Sequence, residues 1–383
     1  MITDLPTTPL RPGWGQSLAQ GAAGVALLHV ERARGGRGGW PTAQAWLAKA
    51  ATDVISGADS AGLYFGAPAL AFVVRAAAAD EPGRYARALA RLDTATVAIT
   101  RRRLDAAHSR IDAGRRPRLG EFDLIYGLTG LGAGLLTGGT AQHDLLREVL
   151  GYLVRLTEPV AGLPGWWTAN DPSDSPSAEF PGGHGNFGMA HGVGGPLALL
   201  AITARRGVVV PGHLDAIRTI CRWFDVWCQP SPTGPWWPEW ITLHEHGTGR
   251  PRAERPGRPS WCYGTPGLAR AQQLAALALT DPTRQAMAEG ALVGALIDPV
   301  QRGAITDHSL CHGTTGLLHT AWRMSLDAPG STIAGLLPEL RASCRTAAGP
   351  GFLEGGTGSV LALDVQDTGL PPTTAWDTCL LVN

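Results

Sequence analysis

A glycine turn recurs seven times along this chain of 383 residues, and each copy runs into an apolar stretch. The copies are Gly21-Ala22-Ala23-Gly24, Gly66-Ala67-Pro68-Ala69, Gly127-Leu128-Thr129-Gly130, Gly192-Val193-Gly194-Gly195, Gly264-Thr265-Pro266-Gly267, Gly313-Thr314-Thr315-Gly316 and Gly355-Gly356-Thr357-Gly358. The second departs from Gly-x-x-Gly by placing Ala69 last. The first glycines are separated by 45, 61, 65, 72, 49 and 42 residues. Periods of this size mark repeat architectures, in which each unit is one supersecondary element. With 51 glycines, chance supplies a stray run or two, but not seven that each enter an apolar segment.

The segments after the turns read as buried helices, for example Val25, Ala26, Leu27 and Leu28, or Leu317, Leu318 and Trp322. Between turns lie Ala- and Arg-rich stretches such as Arg84 to Ile111 and Thr280 to Ile297, and both residues are strong helix formers. Each unit is therefore expected to be an outer helix, a loop, a glycine turn and an inner helix. Glycine suits such a turn because it tolerates positive φ and allows close backbone approach. The fold class expected is all-α. If the array closes, it is an α/α toroid of seven helical pairs whose turns converge on one point. Few residues precede Trp14, so the first outer helix must be short, missing or supplied from elsewhere.

One domain over residues 1–383 is expected, with irregular excursions near 162–186 and 229–260. The first holds Trp166-Trp167 and the polar run Asn170 to Glu179; the second holds Pro235-Trp236-Trp237-Pro238, Trp240 and the proline-rich stretch Arg250 to Arg258. Long excursions are usually functional, and these aromatic residues are expected to contact a peptide.

A formal net charge of +0 gives no pull toward nucleic acid or anionic lipid. A hydrophobic content of 44% is ample for a core, yet no run is long enough to span a membrane. Met1 to Pro12 lacks the pattern of a signal peptide. Six cysteines in a chain this long do not form a disulfide framework. A cytoplasmic location follows by default.

Two turns carry metal-binding chemistry. Cys262 stands in Ser260-Trp261-Cys262-Tyr263-Gly264, and Cys311-His312 precedes Gly313. Two thiols and an imidazole suit Zn2+, and three protein ligands leave the fourth tetrahedral position open, as in catalytic zinc sites. The cysteines lie 49 residues apart, so only a closing fold can unite them. His308, four residues before His312, is the candidate fourth ligand of a closed site. His191, in Met189-Ala190-His191-Gly192, holds the same turn position as Tyr263 and His312. Closure would aim it at the same centre, where an imidazole can act as acid and base. Cys221, Cys228, Cys344 and Cys379 lack this turn context, and His244 with His246 has no supporting feature.

With Trp-Cys-Tyr-Gly, Cys-His-Gly and the repeated Gly-x-x-Gly together, the chain resembles the lanthipeptide (lantibiotic) cyclases, the LanC-like family. The resemblance runs from Ser17-Leu18-Ala19-Gln20-Gly21 to Trp376-Asp377. It implies a toroid with zinc near one mouth, and a stand-alone enzyme. Its activity would be the Michael-type addition of peptide cysteine thiols to dehydroalanine or dehydrobutyrine, forming (methyl)lanthionine thioether rings. The implied partners are a dehydrated precursor peptide and a lanthipeptide dehydratase. Cys262, Cys311 and His312 would hold the metal, with the substrate thiol in the fourth position and His191 delivering a proton to the enolate. By the same resemblance Asp123 belongs to the active site, to orient His191 or accept the thiol proton, although a helix N-cap is a frequent role of aspartate. Tyr263 would donate to the enolate oxygen. Arg258 matches an arginine that the family places near the zinc, and its plain alternative is a surface ion pair. Three other readings remain open: addition of glutathione to dehydrated residues, a zinc-stabilised peptide-binding scaffold, and another thiol-activating zinc enzyme on an α/α barrel.

Overall fold

The computed structural model describes residues 11–81 and 83–383; the expectation for Met1 to Pro12 falls largely outside them. Thirteen main helices follow in chain order: α1 (Ala22–Arg34), α2 (Trp40–Ala50), α3 (Ala67–Ala78), α4 (Ala86–Asp112), α5 (Leu128–Leu135), α6 (Thr140–Arg155), α7 (Gly194–Arg205), α8 (His213–Trp227), α9 (Thr265–Leu279), α10 (Pro282–Ile297), α11 (Thr314–Leu326), α12 (Thr332–Ser343) and α13 (Gly356–Thr368). The odd-numbered helices each begin within a glycine turn. They are buried on nearly every side, as a helix apolar all round must be: in α9, Thr265 to Ala276 are all buried. The even-numbered helices are amphipathic and pack outside them. In α8, Ala216, Ile217, Ile220, Phe224 and Trp227 face inward.

The inner helices close a ring. α1 packs on α3, α3 on α5, α5 on α7, α7 on α9, α9 on α11, α11 on α13, and α13 returns to α1. Among the described residues there are six outer helices, not seven. Among the described residues ahead of α1 there is a 3-10 turn, Trp14–Gln16.

Backbone hydrogen bonds tie the turns to one another around the mouth of the ring. Leu124 N donates to Ala190 O, Ala190 N to Cys262 O, Cys262 N to Cys311 O, Cys311 N to Leu353 O, and Leu353 N to Ala19 O, while Leu18 N reaches Tyr64 O. Leu18 and Leu124 donate from one place earlier than the rest; the others are equivalent places in successive repeats, so the register of these turns is set by their neighbours.

The glycines are required by close approach rather than by φ. Gly264 and Gly313 sit at φ −80° and −100°. A Cβ on Gly313 would lie 2.1 Å from Ser309 N, and one on Gly316 would lie 1.9 Å from Leu310 O, because the chain doubles back over itself. Only the second repeat uses a left-handed first glycine, Gly66 at φ +76°. Gly316→Ala is accordingly expected to cost about 3 kcal/mol, read as a lowered Tm, whereas Ala69→Gly should change Tm far less.

The C-terminal segment fills the ring's axis. Trp376–Leu380 forms a buried 3-10 turn. Tyr64 Oη donates to Cys379 O at 2.7 Å, Trp261 Nε1 to Leu380 O at 3.0 Å, and Arg270 Nε to Val382 O at 2.9 Å. Asp377, fully buried, pairs with His319 at 2.8 Å and Arg323 at 2.6 Å. Burial raises the Asp377 carboxyl, but these partners outweigh it and bring it down to about 2.

The two excursions meet in a small antiparallel ribbon. β1 (His184–Asn186) pairs with β2 (Trp240–Thr242), with Asn186 opposite Trp240. Of the tryptophans expected to grip a peptide, Trp166, Trp167, Trp236 and Trp237 are inside, all 4% exposed or less, while Trp240 is half-buried. Trp166, Trp167 and Trp227 gather around Trp223, joined by Phe187 and His246. An indole buries a large area and packs edge-to-face, so these segments carry a core of their own beside the ring. His246 is part of that stack and not of a metal site.

Candidate metal centre and active site

The site is readable as positions counted back from the first glycine of each turn. Two places back stand Ala19, Tyr64, Ile125, Ala190, Cys262, Cys311 and Leu353. One place back stand Gln20, Phe65, Tyr126, His191, Tyr263, His312 and Glu354. Because the turns are bonded side by side, adjacent repeats bring these side chains together. The ligand atoms of Cys262, Cys311 and His312 all lie within 4.8 Å of one another, the one such group of three or more His, Cys, Asp or Glu among the described residues. His308 is not part of it: its Nδ1 lies 2.7 Å from Thr314 Oγ1.

The two sulfurs share charge. The Cys262 thiol is pulled well below its ordinary value, first by the hydrogen bond from Cys311, against burial, and then by His312 and Ser260. The same bond, with burial, pushes Cys311 up. His312 is raised, first by its bond to Cys262, with burial opposing and Asp307 adding to the rise.

Asp307 was not anticipated from the sequence. Its Oδ2 lies 3.2 Å from His312 Nε2, and Ser309 N donates to its Oδ1 at 2.7 Å. A carboxylate on one ring nitrogen fixes the imidazole's tautomer and leaves the other nitrogen for a metal. Asp307→Asn is expected to weaken zinc binding 10–100-fold, roughly the cost of losing such a partner. Competition against a chromophoric chelator measures it.

His191 and Asp123 form a second pair at the same mouth. His191 Nδ1 lies 2.6 Å from Asp123 Oδ2, and Asp123 is fully buried. Asp123 stands four places before its glycine, where Ser17, Ser260 and Ser309 stand in other repeats. There each serine hydroxyl caps its own turn, as Ser260 Oγ does for Gly264 N at 3.0 Å. Asp123 Oδ1 does the same for Tyr126 N and Gly127 N, each at 2.7 Å. Asp123 is not a helix N-cap, a place that Gly127 takes for α5; one of its oxygens caps the turn ahead of that helix and the other faces His191. Burial pushes the His191 pKa down, but the Asp123 hydrogen bond and charge outweigh it and raise it. With Nδ1 engaged, Nε2 is the nitrogen left for chemistry. Tyr126 stacks on the His191 ring at 5.6 Å, and Tyr263 stands 6.1 Å away on another side.

Burial keeps Tyr263 protonated, its pKa pushed far up. Arg258 makes no ion pair among the described residues. Its charge acts instead on Cys311, His312, Asp307 and Glu239, so it stands near the Cys262, Cys311 and His312 group and not in a surface pair. Cys221, Cys344 and Cys379 are buried away from the group, Cys228 is half-buried, and all six cysteines are free thiols.

A closed ring of helix pairs carries two thiols and two imidazoles from three neighbouring turns at its mouth, which defines a toroidal protein with a Cys/His site. The chain belongs to the lanthionine synthetase C-like protein family, whose model matches residues 12–369. It is 26% identical over 254 residues to the nisin biosynthesis protein NisC of Lactococcus lactis subsp. lactis. That match covers 63% of this chain and 60% of NisC. Among solved structures it is similar to a nisin cyclase, with a TM-score of 0.83 and 22% identity over 97% of this chain and 93% of that one. The likeness bears out the helical toroid.

Proposed function

We propose that this protein is a zinc-dependent lanthionine-forming cyclase acting on a dehydrated precursor peptide. The observation that carries the reading is the convergence of Cys262, Cys311 and His312 with the His191–Asp123 pair at one mouth of the ring. Two thiols and an imidazole are a donor set suited to zinc. When bound, zinc would lower the pKa of a peptide thiol in its open position and keep that sulfur nucleophilic.

The remaining steps fall to the chain's own residues. As the peptide sulfur bonds to the β-carbon of dehydroalanine or dehydrobutyrine, the alkene's electron pair moves onto the α-carbon and its carbonyl oxygen. Tyr263 and Arg258 stabilise that oxygen. His191, held through Nδ1 by Asp123, delivers a proton from Nε2 to the α-carbon and recovers one from the incoming thiol. A cavity of about 980 Å³ beside this pair, lined by Gln20, Phe65, Arg103 and Tyr126, gives room for peptide residues. The alkene arises by loss of water from Ser or Thr, so a dehydratase acts first on the same peptide. Among the described residues no helix is long and apolar enough to cross a membrane. Six free thiols accord with a reducing compartment, and we assign the reaction to the cytoplasm.

The test is to incubate the zinc-loaded protein with a dehydrated precursor and follow free peptide thiols. Loss of thiols at unchanged peptide mass, abolished by a chelator, is the expected result. A mass gain equal to glutathione in a mixture containing it would favour glutathione addition. Binding without thiol loss would mean a scaffold.

A further inference from the structure

The tryptophan-rich excursions have no place in the reaction as drawn, yet their ribbon ends against Tyr263. His184 and Asn186, both fully buried, stand on β1. His184 Nδ1 donates to Asn170 O at 2.8 Å, so its Nε2 is an acceptor. Asn186 Nδ2 approaches that Nε2 at 3.3 Å. Gly188 N donates to Asn186 Oδ1 at 2.9 Å, which fixes which end of the amide is oxygen. One Nδ2 hydrogen remains, and it points to Tyr263 Oη at 3.5 Å. The ring of Tyr263 is held as well: it lies so close on Gly188 that a Cβ there would come within 2.8 Å of Tyr263 Cε1, and Trp240 meets it edge-on at 6.2 Å.

An amide that donates to a phenol oxygen occupies a lone pair and leaves the phenol's own proton to be given elsewhere. Each bond in the chain is directional, so no link can reverse without orphaning a buried group. We propose that Asn186, oriented by His184, is a positioning residue that aims the Tyr263 hydroxyl proton into the active-site mouth, and that the excursions exist to hold this chain rigid. Burial favours neutral His184, which keeps Nε2 an acceptor. The register supports the assignment: Asn186 stands six places before its glycine, where Asp307 stands in the repeat of His312. Both residues secure a side chain one place before a glycine, Asp307 within its own repeat and Asn186 in the next. The inference rests on the cyclase reading.

Asn186→Asp tests it, because a carboxylate of the same shape has no N–H and would accept the Tyr263 proton. With zinc content and near-UV circular dichroism unchanged, kcat for ring closure is expected to fall about 100-fold, as for Tyr263→Phe, the scale of losing one oxyanion donor. The double variant should be no slower than either single one. His184→Leu, which removes the acceptor facing the amide, should slow ring closure in the same direction with zinc content unchanged and serves if Asn186→Asp does not fold; a wild-type rate there would also overturn the inference. Wild-type kcat in Asn186→Asp, or losses that multiply in the double variant, would overturn the inference alone. A zinc-loaded wild type that closes no ring would take the cyclase reading down with it.

Discussion

Cys311→Ala is expected to leave a folded ring without its metal. Elemental analysis should fall from about one zinc per chain to near none, and ring closure should fall to the uncatalysed background. The expected loss of affinity exceeds the roughly 10–100-fold assigned to an outer partner such as Asp307, because a thiolate donor itself is removed. The fold should survive for a reason visible in the register. Cys311 contributes its backbone N–H and C=O to the circle of bonds between turns, and Ala19 and Ala190 occupy the same place in other repeats. Alanine there is already compatible with the turn. Cys344→Ala, which removes a buried thiol elsewhere, should retain the metal. Zinc at full occupancy in Cys311→Ala would show that the metal is held by other groups.

That register explains how far the sequence could be read. The seven turns, the inner helices and the grouping of Cys262, Cys311 and His312 follow from a periodic signal: every copy lies at a known distance from a glycine, and ring closure does the rest. Close backbone approach was legible as one reason for the glycines, but the group they approach was not. Close approach to a carbonyl three places upstream of each turn's first glycine depends on how the chain doubles back, and composition does not reveal it. The excursions were misread for a related cause. Trp166, Trp167, Trp236 and Trp237 lie outside the repeat, so nothing periodic says whether an indole faces solvent or Trp223; only the pairing of β1 with β2 decides that. Asp307 and Asn186 were missed although both stand six places before a glycine, as Arg258 does. Aligning that position across the repeats would have drawn attention to them, since Glu121, Asn186, Arg258 and Asp307 stand there in four successive units where the other three have Gly15, Ser60 and Gly349.

Asp123→Ser separates the two duties of Asp123, and it should remove one while sparing the other. Serine is the residue that other repeats use to cap this turn, so the bonds from Tyr126 N and Gly127 N keep an acceptor. The oxygen facing His191 Nδ1 disappears. Folding and zinc content should therefore persist while ring closure slows, in the direction of His191→Ala, for which a loss of about 10²–10⁴-fold is expected for a general acid–base residue. The pH profile makes the assignment specific. In the native protein the His191 pKa is raised, because Asp123 outweighs burial. The charged pair therefore stabilises the fold fully below the unfolded histidine value of about 6.5 and loses that contribution as pH rises through the raised folded value. In Asp123→Ser burial, which disfavours the imidazolium, is opposed only by the lesser charges of Cys262 and Asp174. The alkaline limb of ring closure, where His191 must still carry a proton, should move to lower pH. The stability difference between variant and wild type should be largest in mild acid and fade as pH rises. An Asp123→Ser protein with a wild-type rate and an unmoved alkaline limb would leave Asp123 as a turn cap and nothing more.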